Sequence, residues 1–347
     1  RYPYLPLSEN QIRLLRFEPP ADDSAYDSQP IRATLHHVKF DSEALRFTPY
    51  TALSYEWVRS THAEQNEPQV SPTMILGGYT VCIGENLYNA LKSIRHLKSR
   101  ITHSDDHDLL LWVDAICINQ SDIEERSHQV RLMRDIYKRA RRVLLWLGKG
   151  DAQIVKAMEP FFNLGKVWGF EQYAIERLCK MGFWRRVWIL QEVVLANNYL
   201  VICGNMYTTS WSFERALTKR PLDALSTRSS AQEIIAWRSS RQKPLSLIWW
   251  LAMCMMYEFR ATDPRDYVYA LLGISADCEG KIVPDYSKST REVFTSAIEL
   301  MMDMSSHPEE DLFGSFALLM GLEWSTGRKV VREIRRGKKE EAEANQR

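Results

Sequence analysis

The chain has 347 residues, 45% of them hydrophobic and 26% charged, which is the make-up of a globular protein with one large or two modest cores. Its net charge of +1 excludes a whole-molecule field that would draw it to nucleic acid or to an anionic membrane. No signal-peptide pattern opens it, and a start at Arg1 without methionine is expected of a fragment or processed product.

The first thirty residues are punctuated by proline at Pro3, Pro6, Pro19, Pro20 and Pro30. That predicts an extended lead-in with Ile12–Leu15 as a short strand. Thr51–Tyr55 is a short apolar run ending in polar and aromatic residues, so it reads as a buried strand. Asn86 is expected to cap a helix that carries Leu87, Ala90, Leu91, Ile94 and Leu97 on one face. The clearest unit covers 109–147. Leu109–Val113 is a fully apolar run closed by Asp114, and Ser121-Asp122-Ile123-Glu124 has capping-box spacing. The helix that follows aligns Val130, Met133, Tyr137 and Ala140, and Val143–Leu147 is a second apolar run stopped by Gly148. Strand, helix, strand in under forty residues is a βαβ unit, whose strands should be parallel and buried on both faces.

A helix over 184–196 and a strand at Leu200–Cys203 come next, and the pattern then turns helical over 230–242, 244–260 and 264–273. Ser289-Thr290-Arg291-Glu292 is a second capping box, opening a helix with Val293, Phe294, Ala297, Ile298 and Met301 inward. The fold class expected is α/β, a mostly parallel sheet flanked by helices, with a C-terminal helical subdomain. The division expected is an α/β core over 1–210, a helical part over 211–305 and a charged tail over 306–347, solvated or disordered. The longest apolar run, Leu247–Tyr257, falls short of the roughly 18 residues a bilayer span takes, so a buried helix with Pro244 in its first turn is expected. Six cysteines include no CxxC pair and are read as reduced thiols. The histidines offer no HExxH, and no metal site is expected.

Four segments carry a resemblance. The first is Tyr50-Thr51-Ala52-Leu53-Ser54-Tyr55-Glu56-Trp57. The second runs from Leu111-Trp112-Val113-Asp114-Ala115-Ile116-Cys117-Ile118-Asn119-Gln120 to Leu145-Trp146-Leu147-Gly148. The third is Arg186-Val187-Trp188-Ile189-Leu190-Gln191-Glu192. The fourth is Asp263-Pro264-Arg265-Asp266-Tyr267-Val268-Tyr269-Ala270-Leu271-Leu272-Gly273 with Pro284-Asp285-Tyr286. Together, in this order, they resemble the fungal heterokaryon incompatibility (HET) domain. One position departs: the glycine that usually follows the tryptophan of the first segment is Val58 here. The loop leaving that strand is therefore expected to differ.

HET domains look like distant relatives of TIR domains, and the resemblance implies a TIR-like or flavodoxin-like sheet. It implies a cytoplasmic effector of self/non-self recognition and programmed cell death. The partners implied are the proteins of an incompatibility system, with a homo-oligomer as one assembly and no nucleic acid or membrane. No cofactor is implied; NAD would be a substrate. In enzymatic TIR domains a helix glutamate cleaves NAD, and Glu192 occupies the matching place. Tyr55, Trp57, Asp114, Asn119, Gln120, Trp188 and Gln191 would then line the ligand site.

Each residue also has a structural explanation. NAD carries a cationic leaving group, so a carboxylate that stabilises an oxocarbenium-like sugar can suffice for its cleavage. Glu192 can equally pair with Arg185 or Arg186. Asp114 stands at a strand end, where open α/β sheets bind ligands, or it caps a backbone turn. Asn119 and Gln120 fit a turn better than a ligand. Tyr55 and Trp57 can stack on a base or pack in the core. Arg265 and Asp266 suit a local ion pair and a helix start. Two function classes stay open, an NAD-cleaving enzyme and a non-catalytic module that signals by assembly.

Overall fold

Strands Gln11–Phe17 (β1), Arg32–Lys39 (β2), Thr51–Tyr55 (β3), Thr73–Leu76 (β4), Tyr79–Cys82 (β5), Leu110–Trp112 (β6), Arg142–Trp146 (β7), Tyr199–Cys203 (β8) and Met206–Thr209 (β9) join in one sheet. The structure is a computed structural model that describes residues 2–19, 29–57, 71–101, 109–154, 158, 170–218, 228–239, 245–304 and 310–344. The sheet runs β5-β4-β2-β1-β6-β3-β7-β8-β9. Its centre, β6-β3-β7-β8, is parallel throughout. β3 and β8 are buried along their whole length, and β7 along all but its first residue. That explains their unbroken apolar sequences, since helices cover both faces of a parallel sheet.

The sheet is mixed, and the expectation of a mostly parallel one is corrected here. β1 is antiparallel to both β2 and β6, β4 to β5, and β8 to β9. Of these strands β2, β4, β5 and β9 are short or partly exposed, so they carry no long apolar run to read. The Ile12–Leu15 strand extends to Gln11–Phe17 and sits inside the sheet between β2 and β6. The strands at 109–113 and 143–147 are parallel as expected, but β3 lies between them, hydrogen-bonded to both.

Two helix starts also differ from expectation. Helix Glu85–Ile101 begins before Asn86, whose side chain instead bridges the Glu56 carbonyl (2.7 Å) and the Trp146 indole (2.8 Å). Helix Ile123–Arg139 is capped by Asp122, which accepts from the Glu125 amide at 3.0 Å, rather than by Ser121. The second capping box forms as expected. The Ser289 amide donates to Glu292 at 2.7 Å and the Glu292 amide to the Ser289 hydroxyl at 3.3 Å.

Helix Glu85–Ile101 covers one face of the sheet. Helix Ile123–Arg139 covers the other, where the Tyr137 hydroxyl donates to the Leu53 carbonyl and the Tyr50 hydroxyl to the Ile136 carbonyl. Arg13, 1% exposed, ties β1 to the same helix through two hydrogen bonds to Glu125, at 2.6 and 2.9 Å. From Ser210 on the named elements are helices, among them Leu247–Met256, Asp266–Leu272, Thr290–Met304 and Glu310–Leu319. Leu247, Trp250, Leu251, Met253 and Cys254 are buried. No helix among the described residues is long and apolar enough to cross a membrane. The charged tail forms helix Trp324–Ala344, anchored by the buried Val330 and Val331. Five cysteines are buried and Cys82 is exposed. Pro20, Val58 and Pro244 lie outside the described residues.

Candidate functional site

β3 and β6 end side by side, and their carboxyl ends deliver Ser54, Tyr55 and Asp114 to one place. Helix Trp188–Val194 and the residue that leads into it supply Glu192 and Arg186. The Ser54 hydroxyl donates to Glu192 Oε2, and Arg186 Nη1 donates to the same oxygen at 3.4 Å. The Tyr137 hydroxyl, whose one proton is shared with the Leu53 carbonyl, is a further partner of this carboxylate. Glu192 is 1% exposed and Arg186 14%. Burial pushes the Glu192 carboxyl up, against the pull of Arg186 and of the Ser54 hydrogen bond. Arg186 pays for its own burial with two nearby carboxylates, Glu192 and Asp114, which hold its guanidinium charged.

Asp114 keeps some exposure at the rim of this cluster. Its Oδ2 accepts from the Trp57 indole at 3.1 Å, its Oδ1 from the Ala115 amide at 2.7 Å, and the Tyr55 hydroxyl is a third partner. Burial pushes its carboxyl up to about 6; Arg186 opposes and Glu192 adds to the rise. Trp57 stacks on Tyr55 with ring centroids 6.5 Å apart and is itself 46% exposed. Asp114 and Trp57 thus face outward, while Glu192 sits behind them with its oxygens engaged.

The other sequence candidates fall elsewhere. Asn119 and Gln120 shape the turn, as the structural explanation had it. Asn119 Oδ1 accepts from the Ser121 amide at 3.3 Å, and Gln120 Nε2 donates to the Asp114 carbonyl at 2.9 Å. Gln191 is buried against Gly273, where any Cβ would come within 2.4 Å of its Oε1. Trp188 shares a helix face with Glu192 but hydrogen-bonds Asp266. Asp266 also accepts from the Tyr286 hydroxyl at 2.6 Å, and burial pushes its carboxyl up to about 6 against both bonds. Arg265 pairs with Asp263 at 2.7 Å and donates to the Tyr286 and Lys288 carbonyls. The fourth segment is therefore bolted to the others: the Tyr286 amide donates to Ser127, and Arg126 lies 3.6 Å over the Tyr286 ring.

Reading the sequence for function passed over Ser54 and Tyr137, and it named Arg186 only as a structural partner. A serine inside the apolar TALSY run and paired arginines ahead of an apolar helix were the available signals. His103 and His107, spaced four apart, were also passed over; they lie outside the described residues. No group of three or more metal-ligating side chains occurs among the described residues.

Ser54, Tyr55, Asp114, Tyr137, Arg186 and Glu192 all fall within residues 50–192, the span that matches the family model described as Heterokaryon incompatibility protein (HET). Over 318 aligned residues the chain is 26% identical to Heterokaryon incompatibility protein 6, OR allele, of Neurospora crassa. That alignment covers 71% of this chain and 46% of the relative, so the chain spans about half the relative's length. No solved structure matches. Residues 50–192 of the chain are thus similar to the heterokaryon incompatibility (HET) family, and the similarity to the Neurospora relative extends beyond them.

Proposed function

We propose that this chain acts in fungal heterokaryon incompatibility, as a cytoplasmic effector that triggers cell death when a non-self protein partner engages it. The family match and the Neurospora relative support this reading. For the means of action, the geometry favours a module that signals by protein contact. The observation that carries this is Glu192, 1% exposed and engaged by Ser54, Tyr137 and Arg186. A carboxylate so enclosed organises the junction of β3 with helix Trp188–Val194, and a partner that disturbs this junction changes the domain. Expression of the chain in a filamentous fungus tests the effector role. Growth arrest and death are expected, and healthy growth at full expression levels would contradict it.

A second reading, TIR-like cleavage of NAD, is favoured by a different observation. Asp114 stands half-open at the carboxyl end of a parallel strand, where open α/β sheets hold ligands, beside the stacked Tyr55 and Trp57. In this reading the C–N bond between ribose and nicotinamide breaks, and nicotinamide leaves with the electron pair. Water adds to the ribosyl carbon and loses a proton. Asp114 would face the developing positive charge, with Glu192 and Arg186 setting its position and field. Purified chain incubated with NAD at low and high protein concentration decides the matter by chromatography. Release of nicotinamide and ADP-ribose that Asp114→Asn abolishes supports the enzyme; no release at either concentration leaves the contact module.

A further inference from the structure

The other face of the sheet carries an opening that the HET cluster does not use. Ser54 neighbours Leu145 across the β3–β7 ladder, so the next residue of β7, Trp146, points to the opposite face. There, at the carboxyl ends of β7 and β8, lies a cavity of about 320 Å³. Asn89, Lys92 and His96 line it from helix Glu85–Ile101, Lys149 from the loop after β7, and Asn205 from the loop after β8. The edge of the buried Trp146 completes the lining.

The walls are held in place without a ligand. The Gly204 amide donates to the Gly148 carbonyl at 2.9 Å, joining the two loops. The Ser93 hydroxyl donates to the Gly204 carbonyl, joining loop to helix. The Trp146 indole is fixed on Asn86 at 2.8 Å. Gly150 has a φ of +65°, and a Cβ there would come within 2.6 Å of Cys203 Sγ, so the β7 loop can lie this close to β8 only with glycine. Preformed walls lower the ordering cost of binding.

The donor set selects the ligand. Two lysines, a histidine and two asparagines on three separate elements line the opening, a set that suits a compact anion. Among the described residues Lys92 has no ion-pair partner. Lys149 pairs with Glu85 at 3.0 Å, but the two side chains are 62% and 58% exposed, and such pairs hold weakly. Lys149 is therefore available to turn inward. Asp151, the nearest acid along the β7 loop, is occupied by Arg177 at 2.5 Å. Trp146 is 1% exposed and offers no face for a base to stack on. The volume lies at the small end of ligand pockets, which run from roughly 300 Å³ upward. We propose that the cavity between helix Glu85–Ile101 and the loops after β7 and β8 binds a phosphate group, free or as a small phosphate monoester, through Lys92, Lys149 and His96. The position agrees with the general rule that open α/β sheets bind ligands beyond the carboxyl ends of their strands.

Titration calorimetry of the 347-residue chain tests this with two probes, inorganic phosphate and ribose 5-phosphate, in low-salt buffer. Saturable binding of at least one probe is expected, and the tighter of the two identifies the source of the phosphate. Lys92→Gln and Lys149→Gln should each weaken binding about tenfold, as loss of a charge-assisted contact does. Glu192→Gln, on the opposite face, should leave it unchanged. Absence of binding for both probes at millimolar concentration would overturn the proposal. So would binding that survives the double lysine substitution intact, or that Glu192→Gln abolishes while its circular dichroism shows the protein still folded. None of these outcomes depends on whether the chain cleaves NAD or triggers death.

Discussion

The two sides of the sheet's carboxyl edge handle charge in opposite ways. On one, Glu192, Arg186, Ser54 and Tyr137 satisfy each other out of water, with only Asp114 and Trp57 reaching the surface. On the other, Lys92, Lys149 and His96 surround a cavity with their side chains exposed to solvent. A closed network couples its members to folding, because removing one leaves another buried without a partner. An open one couples its members to whatever enters. Substitutions on the first side should therefore register in stability, and on the second in binding.

The largest effect is expected from Arg186→Met. It strips the nearby cation from Glu192 and Asp114, and breaking a buried pair in this way costs about 3–5 kcal/mol. Urea unfolding followed by fluorescence checks it, and a loss under about 1 kcal/mol would show that the network is not closed. Glu192→Gln should cost less, about 1–3 kcal/mol, because glutamine keeps one acceptor for Ser54 while Arg186 loses a charge partner. An unchanged midpoint with lost NAD turnover would reverse the reading and make Glu192 a group of the reaction.

Acidity sharpens the comparison further. Asp114 and Asp266 titrate near 6 when folded, against 3.8 for the free group, so protonation favours the folded state. Their contribution is complete below about pH 4 and gone once the pH passes about 6. Unfolding free energies should accordingly rise between pH 7 and 5, by about 1–2 kcal/mol per group after allowance for solvent screening. Below pH 4 Asp263 works the other way, since Arg265 holds its carboxyl low in spite of burial. Asp114→Asn should flatten the rise, and an unaltered pH profile in that variant would remove Asp114 from the account. The smallest effect belongs to the open side. Lys92→Gln with Lys149→Gln should move stability by no more than about 0.5 kcal/mol. A larger loss would mean that these lysines hold the fold rather than a ligand.

What could be read from the sequence follows from the same physics. β3, β6, β7 and β8 announced themselves because strands covered on both faces need unbroken apolar runs. β2 did not, because Arg32–Lys39 holds two histidines and exposes one side. The β4–β5 hairpin did not either, since β5 is almost entirely solvent-facing. Insertion of β1 between β2 and β6 is a pairing across nearly a hundred residues, which no local pattern encodes. Within the site, Glu192 and Asp114 could be named singly, Glu192 as a carboxylate inside an apolar helix and Asp114 as one closing an apolar strand. The meeting of Glu192 with Ser54 spans 138 positions and required the topology. The cavity was illegible, since Lys92, His96 and Lys149 look like ordinary surface residues until helix and loops are brought together.

The place of β1 bears on how this domain can be produced. The family signature begins at residue 50, yet β1 hydrogen-bonds β6 along the middle of the sheet, and Arg13 neutralises Glu125. A protein cut to residues 50–192 would lack β1, β2, β8 and β9. β6 and β7 would then become bare edges, and the β4–β5 hairpin would lose β2, the strand that ties it to the sheet. Unprotected edges recruit strands from other copies. Such a fragment would emerge as an aggregate or as a strand-exchanged oligomer, and any self-association measured on it would report the scissors rather than the biology. A faithful expression boundary starts ahead of Gln11 and runs past Thr209.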